Sequence, residues 1–129
     1  MRRGGKYGVA PVEERTAEGI VFHSKREKDA YVGFRILEKT GQIAKLECQV
    51  PFHLFALRPR AEIASGLATD TGVISGVGVK VGIYIADFRI TERDGTIRIY
   101  ETKGVRTPEY KLKKKIFSAN YPHLRIVEI

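Results

Sequence analysis

Two acidic residues interrupt apolar strand patterns on either side of a tight turn. Asp87 interrupts the apolar face that includes Ile83 and Ile85, and Glu101 interrupts the apolar face of the next strand. Between them lies Asp94-Gly95, a dipeptide typical of hairpin turns, so the two strands are predicted to be antiparallel neighbours. Alternation then places Glu101 and Lys103 on one face of the second strand. Because burying an unpartnered carboxylate is costly, this pattern constrains both the fold and the chemistry of the chain.

Asp87, Glu101 and Lys103 have two physical explanations. In the first, Lys103 neutralises one acid and the three residues form a structural ion-pair cluster. A single ammonium group cannot fully satisfy two carboxylates, which favours the second explanation. There, Asp87 and Glu101 hold a divalent cation such as Mg²⁺, which keeps several of its waters and meets a phosphate. Lys103 would then lie close to a metal-bound water.

The pattern of the whole chain predicts a mixed sheet with helices packed on it. A capping box, Ser24-Lys25-Arg26-Glu27, precedes the first helix and Gly41 ends it. Thr107-Pro108 begins the second helix in the same manner. The predicted elements are a helix over 24–39, a strand over 43–57 interrupted at Pro51, a strand over 77–91 buried on both faces, its hairpin partner over 96–103, a helix over 107–120 and a strand over 124–129.

The length of 129 residues suits one domain. Residues 1–19 combine glycines, a proline and many charges without apolar periodicity, so they are predicted to be a flexible basic arm. Residues 20–129 are predicted to form a single domain. Within it, residues 58–78 are small, polar and rich in glycine, which predicts an exposed loop or a projecting ribbon.

The charge of the chain favours a polyanionic partner. The formal net charge is +8 and the isoelectric point is about 9.7. The basic excess lies at the two ends of the chain, around a nearly neutral middle. No apolar run is long enough to span a membrane, so no membrane partner is expected. Cys48 is the only cysteine, which excludes an internal disulfide framework and cysteine-rich zinc modules and favours a reducing, intracellular compartment.

Asp87, the hairpin and Glu101-Thr102-Lys103, with a helix before and a helix after, resemble the PD-(D/E)XK nuclease superfamily. More closely, four segments are similar to small phage-encoded endonucleases that resemble Holliday junction resolvases: SKREKDAYVGFRILEKTGQI, LECQVPFHL, YIADF and ETKGVRTPEYKLKKKIF. One departure is Ala86, which stands where the superfamily has proline. The resemblance implies an α/β restriction-endonuclease-like core of the order α-β-β-β-α-β. It also implies Mg²⁺-dependent phosphodiester hydrolysis, with Mn²⁺ as a substitute.

The resemblance also assigns roles to residues. It makes Asp87 and Glu101 the metal-binding carboxylates and the backbone carbonyl of Thr102 an extra ligand. Lys103 orients or activates the attacking water and stabilises the charge that builds on the phosphate. Glu27 matches the acid on the first helix that often completes the metal site. The alternative for Glu27 is purely structural, because the third residue after a capping serine is commonly glutamate.

Candidate DNA contacts lie around the second helix and in the arm. On a helical wheel Lys111, Lys114 and Lys115 share one side, with Leu112 and Ile116 roughly opposite. The alternative for this basic side is an ordinary solvated face. Gln49 points either at the metal site or at the surface. The full set of predicted DNA-binding residues is Arg106, Thr107, Tyr110, Lys111, Lys113, Lys114, Lys115, Gln49, Arg2, Arg3 and Lys6.

The sequence therefore predicts a metal-dependent DNA endonuclease, and the favoured type is a structure-specific Holliday junction resolvase. Symmetric cutting of a four-way junction needs two active sites, so a homodimer is expected, in the cytoplasm of a bacterial host if the protein is phage-encoded. Two alternatives remain open: a nuclease of the same fold that cuts single strands or transposon ends, and a non-catalytic basic nucleic-acid-binding protein whose acids are structural. His23, His53 and His123 fall in unrelated contexts and suggest no nucleophilic set.

Overall fold

The computed structural model describes residues 9–59, 76–102 and 106–129. Strands β3 to β6 form a mixed sheet in that order, with β5 antiparallel to β4 and parallel to β6, and β1 and β2 form a separate hairpin. The predicted mixed sheet and the order α-β-β-β-α-β are confirmed. The elements are β1 (Thr16–Ala17), β2 (Ile20–Val21), α1 (Lys25–Lys39), β3 (Ile43–Pro59), β4 (Gly76–Glu92), β5 (Ile97–Glu101), α2 (Pro108–Asn120) and β6 (Ile126–Glu128).

The chain divides into two compact units. The first comprises Met1–Val50, Ala86–Gly104 and Arg125–Ile129, and the second comprises Pro51–Ile85 and Val105–Leu124. Most of the predicted loop at 58–78, together with Lys103 and the arm residues Arg2, Arg3 and Lys6, lies outside the described residues. None of the helices in the described ranges is long and apolar enough to cross a membrane.

Local signals set both ends of α1. The Ser24 hydroxyl accepts a hydrogen bond from the Glu27 backbone N–H at 3.0 Å. At the other end Gly41 has φ +77°, and the N–H groups of Gly41 and Gln42 donate to the carbonyls of Glu38 and Leu37. These two bonds define a Schellman motif, which satisfies carbonyls that the helix leaves unpaired. The predicted helix over 24–39 is confirmed.

An aromatic core fills the first unit between α1 and the sheet. Phe22, Tyr31 and Phe88 are buried. The Phe34 ring lies 5.3 Å from that of Phe88 and 4.9 Å from that of Tyr100. Burial of aromatic side chains is a large favourable contribution to folding, and these contacts position α1 over β4 and β5. The first turn of α1 is thereby placed beside the strands that carry the acidic residues.

The described part of the predicted arm is structured. Residues Val12–Arg15 form a 3₁₀ turn, and Glu18-Gly19, both with positive φ, connect β1 to β2 as in a type I′ hairpin. Glu18 accepts hydrogen bonds from Lys39 Nζ at 2.8 Å and from the Tyr31 hydroxyl at 2.5 Å. These bonds lower the pKa of Glu18 to about 2 and raise the pKa of Tyr31 to about 12. The hairpin is therefore held on α1 by a charge cluster.

In the second unit, α2 packs on one face of β3 and β4. Thr107 accepts from the Tyr110 N–H at 3.1 Å and so caps α2, as predicted. The Phe117 ring lies 5.0 Å from that of Phe52 and 5.3 Å from that of Tyr84. The predicted inward position of Leu112 is wrong: its side chain is 59% exposed, and Tyr110 and Phe117 are the buried residues of α2.

Two predictions about the strands also need correction. β3 runs through Pro51 without a break, and its irregular residue is Gln49, with φ +52°. The prediction that β4 is buried on both faces holds over 86–88, where Ala86, Asp87 and Phe88 are all buried. Before this point it fails, because every second residue is exposed: Val79, Val81, Ile83 and Ile85.

Candidate functional site

Asp87 and Glu101 lie side by side in the first unit. Phe88 pairs with Tyr100 in the antiparallel ladder, so one further step places Asp87 opposite Glu101. Directly opposite residues point to the same face of a sheet. Asp87 is 8% exposed and Glu101 4% exposed, and the Asp87 backbone N–H donates to Glu101 Oε2 at 3.3 Å. Two buried carboxylates therefore share one face at the end of the β4–β5 ladder.

Thr102 orients the Asp87 carboxylate. Its backbone N–H donates to Asp87 Oδ2 at 2.9 Å, and its hydroxyl donates to the same oxygen at 2.7 Å. Among the described residues, no lysine or arginine lies within ion-pair distance of Asp87. These two hydrogen bonds to the same oxygen hold the Asp87 carboxylate in one orientation.

Glu27 is the third buried acid of the first unit. It lies in the first turn of α1 and is 3% exposed. Gln49 Nε2 donates to Glu27 Oε1 at 2.7 Å, and His23 Nδ1 lies 3.7 Å from Glu27 Oε2. Burial raises the pKa of Glu27, the negative charge of Asp87 raises it further, and His23 and Gln49 oppose this rise. Glu27 and Asp87 are thus close enough for their charges to repel.

The backbone of Gln49 explains how its side chain reaches Glu27. A non-glycine residue at positive φ is uncommon within a strand and costs roughly 1–3 kcal/mol. The compensation in this chain includes the hydrogen bond to Glu27. Cys48 beside it is half-buried, and burial raises the pKa of its thiol to about 11, so the sulfur is held protonated. Strained residues of this kind are concentrated at functional sites.

The chemical type of these side chains suits a hard divalent cation. Glu27, Asp87 and Glu101 are all buried, and Gln49 adds an amide oxygen, whose partner nitrogen is already engaged by Glu27. Carboxylate and amide oxygens are the usual ligands of Mg²⁺ and Ca²⁺. In the described ranges, no three His, Cys, Asp or Glu side chains lie close enough together to hold an ion as they stand. Coordination would require the side chains to turn toward one another.

The predicted DNA-contacting residues are distributed unevenly over α2. Arg106, Thr107, Lys111 and Lys115 are exposed. Lys113 and Lys114 are half-buried, and Lys113 Nζ pairs with Glu109 at 3.1 Å. Tyr110 is only 6% exposed, so its predicted contact with DNA is replaced by a structural role inside the second unit. Lys111 and Lys115, one turn apart, form the exposed basic side of α2.

Sequence reasoning missed three features of the site. The first is His23, which precedes the cap of α1 and is 81% exposed, yet lies beside the buried Glu27. Its spacing of four residues from Glu27 is a signal that it could contact that acid. The second is the donor role of Thr102, which the resemblance assigns only a carbonyl. No sequence pattern indicated the positive φ of Gln49.

Comparison with known proteins yields one match. The family model described as "Protein of unknown function (DUF1064)" matches residues 5–129. No curated protein and no solved structure matches the chain. The match spans both compact units and every residue of the candidate site.

Proposed function

The chain belongs to the DUF1064 family of proteins of unknown function, and we propose that it is a metal-dependent DNA endonuclease. It hydrolyses phosphodiester bonds, and its preferred substrate is a branched DNA such as a four-way junction. Asp87, Glu101 and Glu27 are the ligands of a Mg²⁺ ion, for which Mn²⁺ substitutes. The backbone carbonyl of Thr102 is an additional ligand.

One observation carries this proposal: three buried carboxylates lie in the first unit, two of them opposite each other at the end of one ladder. Like charges placed together in a low-dielectric site destabilise the fold. Burial raises the pKa of Glu27, and the negative charge of Asp87 raises it further, which reflects this cost. A chain that needed only a stable core would gain from apolar residues at these positions. A bound cation converts the same arrangement into a favourable one.

The residues of the site have separate tasks in hydrolysis. A divalent ion held by the three carboxylates would make the attacking water more acidic and would stabilise charge on the phosphate. Thr102 fixes the orientation of the Asp87 carboxylate through its two hydrogen bonds. Gln49 does the same for Glu27 through its amide N–H. Lys103, next in the chain after Thr102, orients the attacking water. The water oxygen bonds to phosphorus, the P–O3′ bond breaks, and the 3′ oxygen takes up a proton.

The basic surface of the chain supports DNA as the substrate. Lys111 and Lys115 project from α2, and lysines that contact phosphates supply sequence-independent affinity. A four-way junction has two strands to cut, so the proposal includes a homodimer with one site in each copy.

A substrate panel with matched variants tests the proposal. Labelled four-way junction, duplex and single strand are incubated with Mg²⁺, with Mn²⁺ and with EDTA. We expect cleavage of the junction with either ion and none with EDTA. Asp87→Asn and Glu101→Gln should each reduce the rate by about 10³-fold or more, because each removes a charged ligand. Asp29→Asn is the matched control, since Asp29 is exposed and pairs only with Lys28 among the described residues.

Other outcomes have definite meanings. Cleavage that survives Asp87→Asn would contradict the assigned site. Preferential cutting of single strands would retain the chemistry and replace the substrate. Binding of all three DNAs without cleavage by the wild type, in either ion, would show that the acids are structural and that the chain is a nucleic-acid-binding protein.

A further inference from the structure

The second unit contains a two-stranded ribbon, made of β3 from Pro51 onward and β4 up to Ile85, with two different faces. One face is covered by α2: Phe52, Leu54 and Tyr84 are buried on it, and Phe52 and Tyr84 contact Phe117. Side chains alternate along strands, so the intervening residues point to the opposite face. That face carries the exposed, large apolar side chains of the ribbon. We call it the apolar ribbon face and define it by Phe55, Val79, Val81, Ile83 and Ile85.

The exposure of the apolar ribbon face is substantial. Its five side chains are 37–53% exposed. Burying one Val, Ile or Phe side chain fully contributes about 1.5–3 kcal/mol, so five half-exposed ones leave much of that contribution unused. Scattered apolar residues on a surface are ordinary, but a contiguous strip on one strand indicates an interaction site. The face is therefore expected to be covered in the functional protein.

At the β3 edge of the ribbon, side chains of the same unit occupy the backbone groups that could pair with another strand. The Asn120 side chain accepts from the Phe55 N–H at 2.7 Å and donates to the Phe55 carbonyl at 3.0 Å. The Tyr121 hydroxyl donates to the His53 carbonyl at 2.8 Å. These bonds block β3 against pairing with another strand, as natural sheets do at their edges.

The absence of charge on the apolar ribbon face limits the kinds of partner that it suits. Within the second unit, the described residues of the apolar ribbon face include no Lys, Arg, Asp or Glu, because alternation assigns Lys80 to the other face. The next residue on the same side of β4 is Asp87, which is buried in the first unit. A polyanion gains nothing from such a surface. A second copy, which repeats the net charge of +8, meets least repulsion on a surface without charge. We propose that a second copy of this chain packs face to face on the apolar ribbon face, and that this contact forms the homodimer.

The sequence of β4 suits a two-fold interface. Such an interface brings the same patch of both copies together, so the patch must complement itself. With Gly82 at the two-fold axis and the strands antiparallel across the interface, Val81 of one copy faces Ile83 of the partner copy. Val79 and Ile85 meet in the same way. Each of these contacts between the two copies of β4 then joins two β-branched apolar side chains, which pack well between sheets.

The size of the patch sets the expected affinity. Five partly exposed side chains present a few hundred Å², below the roughly 800 Å² that each partner buries in a stable interface of standard size. The dimer is therefore expected to dissociate in the micromolar range. The face does not depend on the nuclease assignment, and its test uses neither DNA nor metal. Failure of the dimer and failure of the nuclease proposal are therefore separate results.

Sedimentation velocity of the full chain over a micromolar concentration series is the decisive measurement. We expect the wild type to shift from monomer to dimer and Val81→Glu to weaken association by about tenfold or more. Val81 is 53% exposed, so the variant should keep the circular dichroism and melting temperature of the wild type. The matched control is Ile36→Glu on α1, since Ile36 is 55% exposed and lies outside the face.

A mixing experiment completes the test. Val81→Glu and Val81→Lys should each be monomeric alone and should form a heterodimer when mixed, because opposite charges then meet near the two-fold axis. A wild type that stays monomeric at every concentration overturns the proposal and indicates that another segment of the same chain covers the face. A dimer that Val81→Glu leaves intact also overturns it, because the copies would then meet elsewhere.

Discussion

At the scale of single residues, Glu27 is a buried acid that lowers the stability of the fold and supplies a carboxylate to the proposed site. Its backbone N–H completes the Ser24 cap, as the capping pattern predicts, while its carboxylate is buried beside Gln49 and senses the charge of Asp87. The structural and functional readings of Glu27 are therefore compatible, because they concern different atoms. His23 adds a third contact at the exposed end of this cluster.

Glu27→Gln should stabilise the protein while abolishing cleavage. Burial and Asp87 raise the pKa of Glu27, so its protonated form is favoured in the folded state. That stabilisation is present below the unfolded pKa near 4.5 and is lost as pH rises through the raised folded pKa. Glutamine mimics the protonated acid, so the variant should gain roughly 1 kcal/mol at neutral pH and nothing at pH 4.

Urea unfolding at pH 4 and at pH 7.5 measures the gain in stability of Glu27→Gln, and the junction assay measures its loss of cleavage. Asp29→Asn is again the control: Lys28 lowers the pKa of Asp29, so its removal should reduce stability slightly. A stability gain for Glu27→Gln that is equal at both pH values would show that its charge is not the cause.

At the scale of elements, the ends of helices and the hairpin turn follow from a few neighbouring residues. Ser24, Gly41 and Thr107 all perform the capping roles that their residue types favour. The turn at residues 93–95 closes through Gly95, with φ +92°. The burial of an element follows less directly. Leu112 is an example: a helical wheel shows which residues of α2 share a side, but not which side packs against the strands.

A glycine within α1 and a glycine just after it should respond in opposite directions to substitution by alanine. Gly41 has φ +77°, where a side chain is strained, so Gly41→Ala should destabilise the fold by about 1–2 kcal/mol. Gly33 lies inside the helix with open space at its Cβ position. Gly33→Ala should stabilise by about 0.5–1 kcal/mol. Urea unfolding of both variants checks the pair, and a loss of stability in Gly33→Ala would show that another part of the protein covers this position.

At the scale of the whole molecule, the net charge of +8 has a defined distribution. Several basic residues are neutralised in ion pairs, among them Lys28 with Asp29, Lys39 with Glu18 and Lys45 with Glu47. Lys111 and Lys115 on α2 are exposed, and no acid among the described residues lies within ion-pair distance of them. The formal net charge already subtracts the acids of these pairs, so lysines without an acidic neighbour, such as the two on α2, carry part of the +8.

Salt dependence of DNA binding distinguishes this surface from net charge alone. Lys111→Gln with Lys115→Gln should reduce the slope of log K against log salt by about 2, since each phosphate contact contributes about 0.9. Lys28→Gln with Lys45→Gln removes the same charge from residues that already have acidic partners. Fluorescence anisotropy in EDTA measures both without cleavage. Equal slopes for the two double variants would contradict a phosphate-binding role for α2.

The sequence by itself determined the order of helices and strands, the caps, the hairpin and the two acids at its base. These depend on residues close together in the chain, where backbone preference and side-chain alternation act directly. Only the tertiary structure decided that Gln49 adopts a positive φ and binds Glu27, that His23 joins them, and that half of β4 exposes an apolar face. Alternation states which residues share a face, but what covers that face depends on elements distant in the chain.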